Sequence, residues 1–454
     1  MSARPSLRLR KEARALLPYW AGTLAAVAAP HLVGSRGAPL SWLAYCFGCA
    51  LLGGISFGHE FQHRTLPVLL SQPISRAAIW RDKVLTLAAA LLTATAVLAG
   101  ASAASGSPSS SDPVIRVGGE SLRFLPFVPL CVWCGAPLFT LVAGSALGGA
   151  IFSLAVPGWC LTIGMLARLV FPELGEAVVA SALILAWCPV AAVLGYRQLR
   201  SYQARPASSP ALALPAWLLP WSSPSRSRPL VALLRKELRL QYGTFALVVP
   251  LWGLFFIGAV LSGGAKGGWS TVASVVTSVD LLILPLLVGA IALGEEKSLG
   301  VSDWQLSLPP SSRLQWLAKM LVTLPTSLVL GLVVPLLLVR PLPGAQVMTA
   351  LVIGHLLLTH LAIYAGSLSR GTMSAVLLAL GLWSAVGIAV LSGRLPEKPE
   401  GAGGLALAMG AMLVVLHLFA FSNYRRRTLR PGRLTLQGLA VAGMVATFAV
   451  LSGG

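Results

Sequence analysis

Long apolar runs alternate with short polar breaks from one end of the chain to the other. An apolar run of about 18 residues or more is enough to cross ~30 Å of hydrocarbon as a helix. The pattern predicts helices over 19–36, 38–58, 84–104, 125–147, 153–170, 177–196, 244–262, 270–293, 320–340, 345–367, 373–393, 402–422 and 434–452. A membrane barrel would show alternating segments of ~10 residues instead, and none stands out. The fold class read from this pattern is an all-α polytopic membrane protein. Ahead of the first and seventh runs lie basic amphipathic stretches, Arg8-Leu9-Arg10-Lys11-Glu12-Ala13-Arg14 and Leu234-Arg235-Lys236-Glu237-Leu238-Arg239. Both predict elbow helices along the membrane interface, stem carbons in the acyl region and charges in water.

The chain repeats itself. Glu60 and Glu296 are 236 positions apart, and the same spacing pairs Leu70 with Leu306, Ser71 with Ser307 and Pro73 with Pro309. It also pairs Ser75 with Ser311, Trp80 with Trp316 and Lys83 with Lys319, without a gap. Both halves close on Tyr-Arg, at Tyr196-Arg197 and Tyr424-Arg425. The expected organisation is a six-helix unit over 1–200, a Pro- and Ser-rich linker over 201–228, a second six-helix unit over 229–430 and a thirteenth helix within 431–454. An even number of helices per unit gives both the same orientation, related by an axis along the membrane normal.

Composition narrows the class. Hydrophobic residues make up 56% and charged residues 11%, with a mean hydropathy of +0.80, whereas soluble domains carry roughly a quarter charged residues. The net charge of +20 does not point to nucleic acid. With Met1 in the cytoplasm, all but eight of the 34 Lys and Arg fall in cytoplasmic segments, as the positive-inside bias requires. The basic excess is a topology signal and an attraction for anionic lipid. Arg4, Arg8, Arg10, Lys11 and Arg14 are spread through the first residues with no small-residue cleavage site after them, so the first helix is expected to stay in place. Cys46-x-x-Cys49 and Cys131-x-x-Cys134 imitate metal-ligand spacing, but inside apolar helices they read as packing residues.

Each long loop, Glu60 to Lys83 and Glu296 to Lys319, carries Leu-Ser-x-Pro-x-Ser and then a helix-prone run. Pro73 stops a helix, and Ser75 is a good N-cap for Arg76 to Lys83. An elbow, two helices and Glu60…Arg64-Thr65…Leu70-Ser71-Gln72-Pro73-Ile74-Ser75-Arg76…Lys83 together resemble the permeases of type-2 ABC exporters. The resemblance spans about 5–200 and, more weakly, about 230–430. It implies that Glu60, Arg64, Thr65, Ser71, Pro73, Ser75, Arg76, Trp80 and Lys83 belong to a coupling loop on which a cytoplasmic ABC ATPase subunit docks. Glu296, Ser307, Pro309, Ser311, Trp316 and Lys319 would form the second such loop, for a second subunit. The second copy departs from the pattern, with Gly300-Val301 where the first has Arg64-Thr65.

No G-x-x-x-x-G-K-[ST] loop occurs in the chain. ATP and Mg²⁺ are therefore expected on the partner ATPase, no cofactor or metal on this chain, and no enzymatic activity of its own. Leu261-Ser262-Gly263-Gly264 mimics an ATPase signature but falls at an outer helix end. The implied function is ATP-driven export of a cargo that the sequence does not identify. Helix faces that are apolar with scattered Ser and Thr lean toward an amphipathic cargo. The alternatives are an ion-coupled secondary transporter and a membrane scaffold for envelope assembly, with further membrane or envelope subunits as partners. The implied location is a bacterial inner membrane, N-terminus inside and C-terminus outside.

Within the membrane, Asp280 is the conspicuous ionisable residue, where the first half has Ala44. A buried charge costs ~3 kcal/mol on insertion scales. Asp280 is therefore a candidate for the substrate path, against a purely structural carboxyl hydrogen-bonded to a neighbouring helix. His355, His360 and His417 read as neutral and hydrogen-bonded, and Pro137, Pro157 and Pro189 as kink positions.

Overall fold

A computed structural model describes residues 5–32, 38–63, 65–104, 114–117, 120–123, 127–171, 176–202, 229–245, 248–249, 252–253, 256, 268–298, 300–306, 309–338, 344–392, 399–426 and 431–453. They fall into two compact units, Met1–Pro220 with Val249–Val272, and Trp221–Val248 with Ala273–Gly454. Among the described residues, six helices are long and apolar enough to cross a membrane. They make the chain an α-helical membrane protein.

In the first unit, α1 (Pro5–Ala28) is a single helix. The expected break between elbow and first apolar run is absent, although Pro18 lies inside the helix and removes one backbone donor there. Then come α2 (Ala38–Gln62), the short α3 (Leu66–Ser71) and α4 (Arg76–Ala104). The predicted loop helix over Arg76 to Lys83 is thus continuous with the third apolar run, and Ser75 Oγ accepts from Ala78 N at 3.3 Å at its start. A hairpin of β1 (Val114–Val117) and β2 (Glu120–Arg123) follows. It has no counterpart in the all-helical expectation, because its alternating Val-Ile-Arg-Val run is too short to register beside the apolar helices.

The unit closes with α5 (Phe127–Ala143), α6 (Ala146–Val170) and α7 (Glu176–Ser201). Gly144, at φ 62, takes the left-handed conformation that glycine adopts at no steric cost. It turns the chain so that α6 starts earlier than hydropathy suggests, with Ser145 Oγ accepting from Gly148 N at 3.0 Å. α2 is central, packed against α1, α4, α5 and α6.

The second unit contains α8 (Pro229–Leu240), α9 (Gly268–Ser298) from Ala273 onward, the short α10 (Ser302–Leu306) and α11 (Ser312–Leu328). α11 continues through a π-helical stretch, Val329–Val333, into a last turn, Val334–Leu338. α12 (Ala345–Leu368), α13 (Thr372–Ser392), α14 (Pro399–Tyr424) and α15 (Pro431–Gly453) complete it. The linker beyond Tyr202 and most of the predicted 244–262 helix lie outside the described residues.

α15, the element without a counterpart in the first half, packs on α13 and α14. A buried amide pair pins it. Gln437 Nε2 donates to Asn423 Oδ1 at 3.0 Å and Asn423 Nδ2 to Gln437 Oε1 at 3.1 Å, with Ser367 Oγ also accepting from Asn423.

Candidate functional site

The repeated residues converge on one arrangement in each unit. In the first, Lys83 of α4 runs through the core and delivers its ammonium to three acceptors. They are Glu12 Oε2 of α1 at 2.7 Å, Glu60 Oε1 of α2 at 2.9 Å and Ser56 O at 2.8 Å. An ammonium has three donors, so the lysine is fully satisfied. In the second unit Lys319 of α11 donates to Glu237 of α8 at 3.0 and 3.1 Å and to Ala292 O at 2.9 Å, and pairs with Glu296 of α9 at 2.5 Å. Glu12 and Glu237 each end an Arg-Lys-Glu triplet.

The aromatic neighbours match as well. Trp80 packs on Tyr196 with ring centroids 6.0 Å apart, and Trp316 on Tyr424 at 5.5 Å. A glycine in each unit lets the second apolar helix touch the start of a neighbour, since such contacts need the smallest residues. A Cβ on Gly58 would stand 2.5 Å from Ala146 Cα, and one on Gly294 2.7 Å from Thr372 Cα.

The clusters also differ. Lys236 Nζ reaches Glu237 Oε1 at 3.0 Å, and also Glu296 Oε1 and Gln305 Oε1. Two ammonium groups therefore face two carboxylates in the second unit. In the first, Lys83 alone faces Glu12 and Glu60, Lys11 is exposed, and Glu60 Oε2 has no hydrogen-bond partner.

The cement under the loops differs too. Leu69 and Ile79 are buried with Phe57, Leu66, Leu141 and Leu199. At their places, 236 positions on, stand Gln305 and Gln315, both buried. Gln315 Nε2 donates to Gln305 O at 3.0 Å and to Pro310 O at 2.8 Å, and its Oε1 accepts from Tyr424 OH at 2.8 Å.

Of the residues expected on a docking surface, Glu60, Lys83, Glu296 and Lys319 are instead inside their units, at 1, 2, 1 and 0% exposure. Mutual charge pairing is what lets them be buried. Trp80 is half-buried and Trp316 buried. Arg76 Nη1 donates to Leu199 O at 3.0 Å, Tyr202 O at 3.1 Å and Arg200 O, so it caps the last carbonyls of α7. Thr65, Ser71, Pro73 and Ser75 are exposed, as are Pro309 and Ser311, and Ser311 Oγ caps α11 by accepting from Leu314 N at 3.3 Å. Arg64 and Ser307 lie outside the described residues. Asp280 is far from these clusters along α9 and buried.

Sequence reasoning missed Glu12, Glu237, Lys236, Gln305 and Gln315 as members of the site. The recurrence of Arg-Lys-Glu before both halves was the available signal for the first three. His417 Nε2 accepts from Trp316 Nε1 at 3.1 Å, and His360 Nδ1 lies 2.8 Å from Leu356 O. All six cysteines are free, and among the described residues no group of three or more His, Cys, Asp or Glu is arranged to hold a metal ion. No protein-family model, curated protein or solved structure matches this chain.

Proposed function

We propose that the chain is the membrane-embedded permease of an ABC-type exporter, working with two cytoplasmic ATPase subunits that bind ATP and Mg²⁺. In this reading it comprises two six-helix repeats and a thirteenth helix in a bacterial inner membrane, N-terminus inside and C-terminus outside. The observation that carries the reading is the matched pair of buried Glu–Glu–Lys clusters, each joining an elbow helix, the second apolar helix and the helix that follows the long loop. Two loops, each mounted on a matching ion cluster in its own unit, suit a partner present in two copies. The exposed Thr65, Val68, Ser71, Pro73 and Ser75, with Pro309 and Ser311, would touch the ATPases. The buried Glu60, Lys83, Glu296 and Lys319 would hold the loops so that motion of the partner reaches the helices.

Affinity purification from native membranes, with mass spectrometry and an ATPase assay, tests this. A soluble Walker-A ATPase near two copies per chain is the expected result, and Val68→Asp on the exposed face of α3 is expected to weaken its capture. If no ATPase appears in mild detergent, the exporter reading falls, and proton-coupled transport or a scaffolding role takes its place.

A further inference from the structure

We infer that the second unit holds, between α9, α11 and α12, a membrane-depth binding site for an organic ammonium group. Calling that group part of the exported cargo rests on the reading above; the site itself does not. Asp280 of α9 is 5% exposed, and its Oδ2 has no hydrogen-bond partner. His355 of α12 is 2% exposed. Its Nε2 lies 2.9 Å from Ser327 Oγ, which lies 2.8 Å from Thr359 Oγ1. The ring lies near the α9 backbone at Leu281, the residue after Asp280, but its Nδ1 has no hydrogen-bond partner.

Gly331 completes the contact. A Cβ there would stand 2.6 Å from His355 Cε1 and 3.2 Å from Leu284 Cβ. Leu284 lies one helical turn along the Asp280 face of α9. Gly331 is the middle residue of the π-helical stretch Val329–Val333, a distortion that is uncommon within α-helices and frequent at functional sites.

The first unit carries a different set of side chains at the same positions. There Ala44 stands for Asp280, Leu91 for Ser327, Tyr45 for Leu281 and Thr95 for Gly331. Tyr45 OH and Thr95 Oγ1 hydrogen-bond at 2.8 Å, and α4 is regular throughout. At these positions the second unit has a buried carboxyl, a hydroxyl and a glycine instead, and His355 and Thr359 of α12 add an imidazole and a second hydroxyl. An unpaired buried acceptor is costly, and an N–H⁺ donor restores what it lost on leaving water. Lys297 and Lys319, the basic side chains described on α9 and α11 nearest this depth, are held elsewhere: Lys297 on the Gly366, Ser367 and Ser369 carbonyls, and Lys319 in the glutamate cluster. Neither of these two described side chains supplies the cation.

The test uses the full-length protein in lipid nanodiscs, treated with dicyclohexylcarbodiimide, which modifies carboxyls shielded from water. Modification of the Asp280 peptide is followed by mass spectrometry with dodecylammonium or dodecanol present. Dodecylammonium is expected to slow it by about tenfold or more, the weight of one charge-assisted hydrogen bond, and dodecanol to have little effect. His355→Gln is expected to keep the modification and lose most of the protection. Equal protection by amine and alcohol would mean simple crowding and overturn the site. Absence of modification at Asp280 in the folded protein would overturn it too, because the carboxyl would then be closed off. Since no ATPase is present, an amine-protected Asp280 in a chain that captures no ATPase would sink the exporter reading and leave the site standing.

Discussion

Replacing Lys83 with methionine keeps the length of the buried stem and removes only the ammonium. Glu12 and Glu60 are then left facing each other with no cation, and Ser56 O loses its donor. Breaking a buried ion pair by removing one partner costs about 3–5 kcal/mol. In a unit of ~200 residues each kcal/mol lowers the melting midpoint by about 2–4 °C, so a drop of about 6–20 °C is expected. Lys319→Met should cost about half as much, because Lys236 still faces Glu237 and Glu296. The triple change Glu12→Gln, Glu60→Gln, Lys83→Met should recover much of the loss, since uncharged replacements of a buried ion pair are often near neutral. A thiol-reactive dye follows melting in detergent well here, because five of the six free cysteines are buried and react only on unfolding. Wild-type stability in Lys83→Met, or equal losses in the two lysine variants, would refute the assignment of these clusters as the base of the loops.

Two further outcomes follow from single contacts. Gln437→Leu leaves Asn423 Oδ1 without its buried donor, which should cost about 1–3 kcal/mol and make the chain between α14 and α15 more readily cut by protease; unchanged cleavage would mean that the amide pair does not hold α15. Arg76→Gln removes the cation from the α7 carbonyls, and about 1 kcal/mol of helix-terminus stabilisation should go with it. Faster hydrogen exchange confined to Leu199–Tyr202 is the expected signature, and uniform exchange across the unit would contradict it.

The class of fold was legible because 3.6-residue periodicity matters less in a membrane than sheer apolar length, and α2, α4, α7, α11, α12 and α14 carry that signal in full. Boundaries were less legible. The break placed before Tyr19 rested on charge, yet α1 runs through it and through Pro18, as tertiary packing against α2 and α4 outweighs a local breaker. Glu60, Lys83, Glu296 and Lys319 were visible as a repeat, but their burial was not. A charged residue in a polar loop normally lies in water, and only the third member from the elbow makes burial tolerable. That member was hidden because the elbow and loop motifs recur at different spacings in the two halves. The π-helical stretch around Gly331 left no pattern in a run of Val, Leu and Gly.

The two clusters share a base and differ in what lies above it, and the difference has a physical consequence. α3 is held by Leu66 and Leu69 in apolar contact. Such contact is non-directional, so the loop can shift a little without losing its stabilisation. α10 is held through Gln305, which receives Lys236 and ties through Gln315 to Tyr424. Those bonds depend on direction, and a partly broken buried polar network is worse than none. The second loop therefore has a few well-defined positions where the first has a continuum. A partner that moves both loops equally would meet a soft response from one and a switch-like response from the other. Exchanging the cement, with Gln305→Leu and Gln315→Ile together, would make the second loop resemble the first while leaving the Glu–Glu–Lys base intact. On the exporter reading proposed above, that variant is expected to keep ATPase capture and lose the coupling of hydrolysis to cargo movement. Retained coupling would show that the directional network is not the part of the second unit that transmits motion.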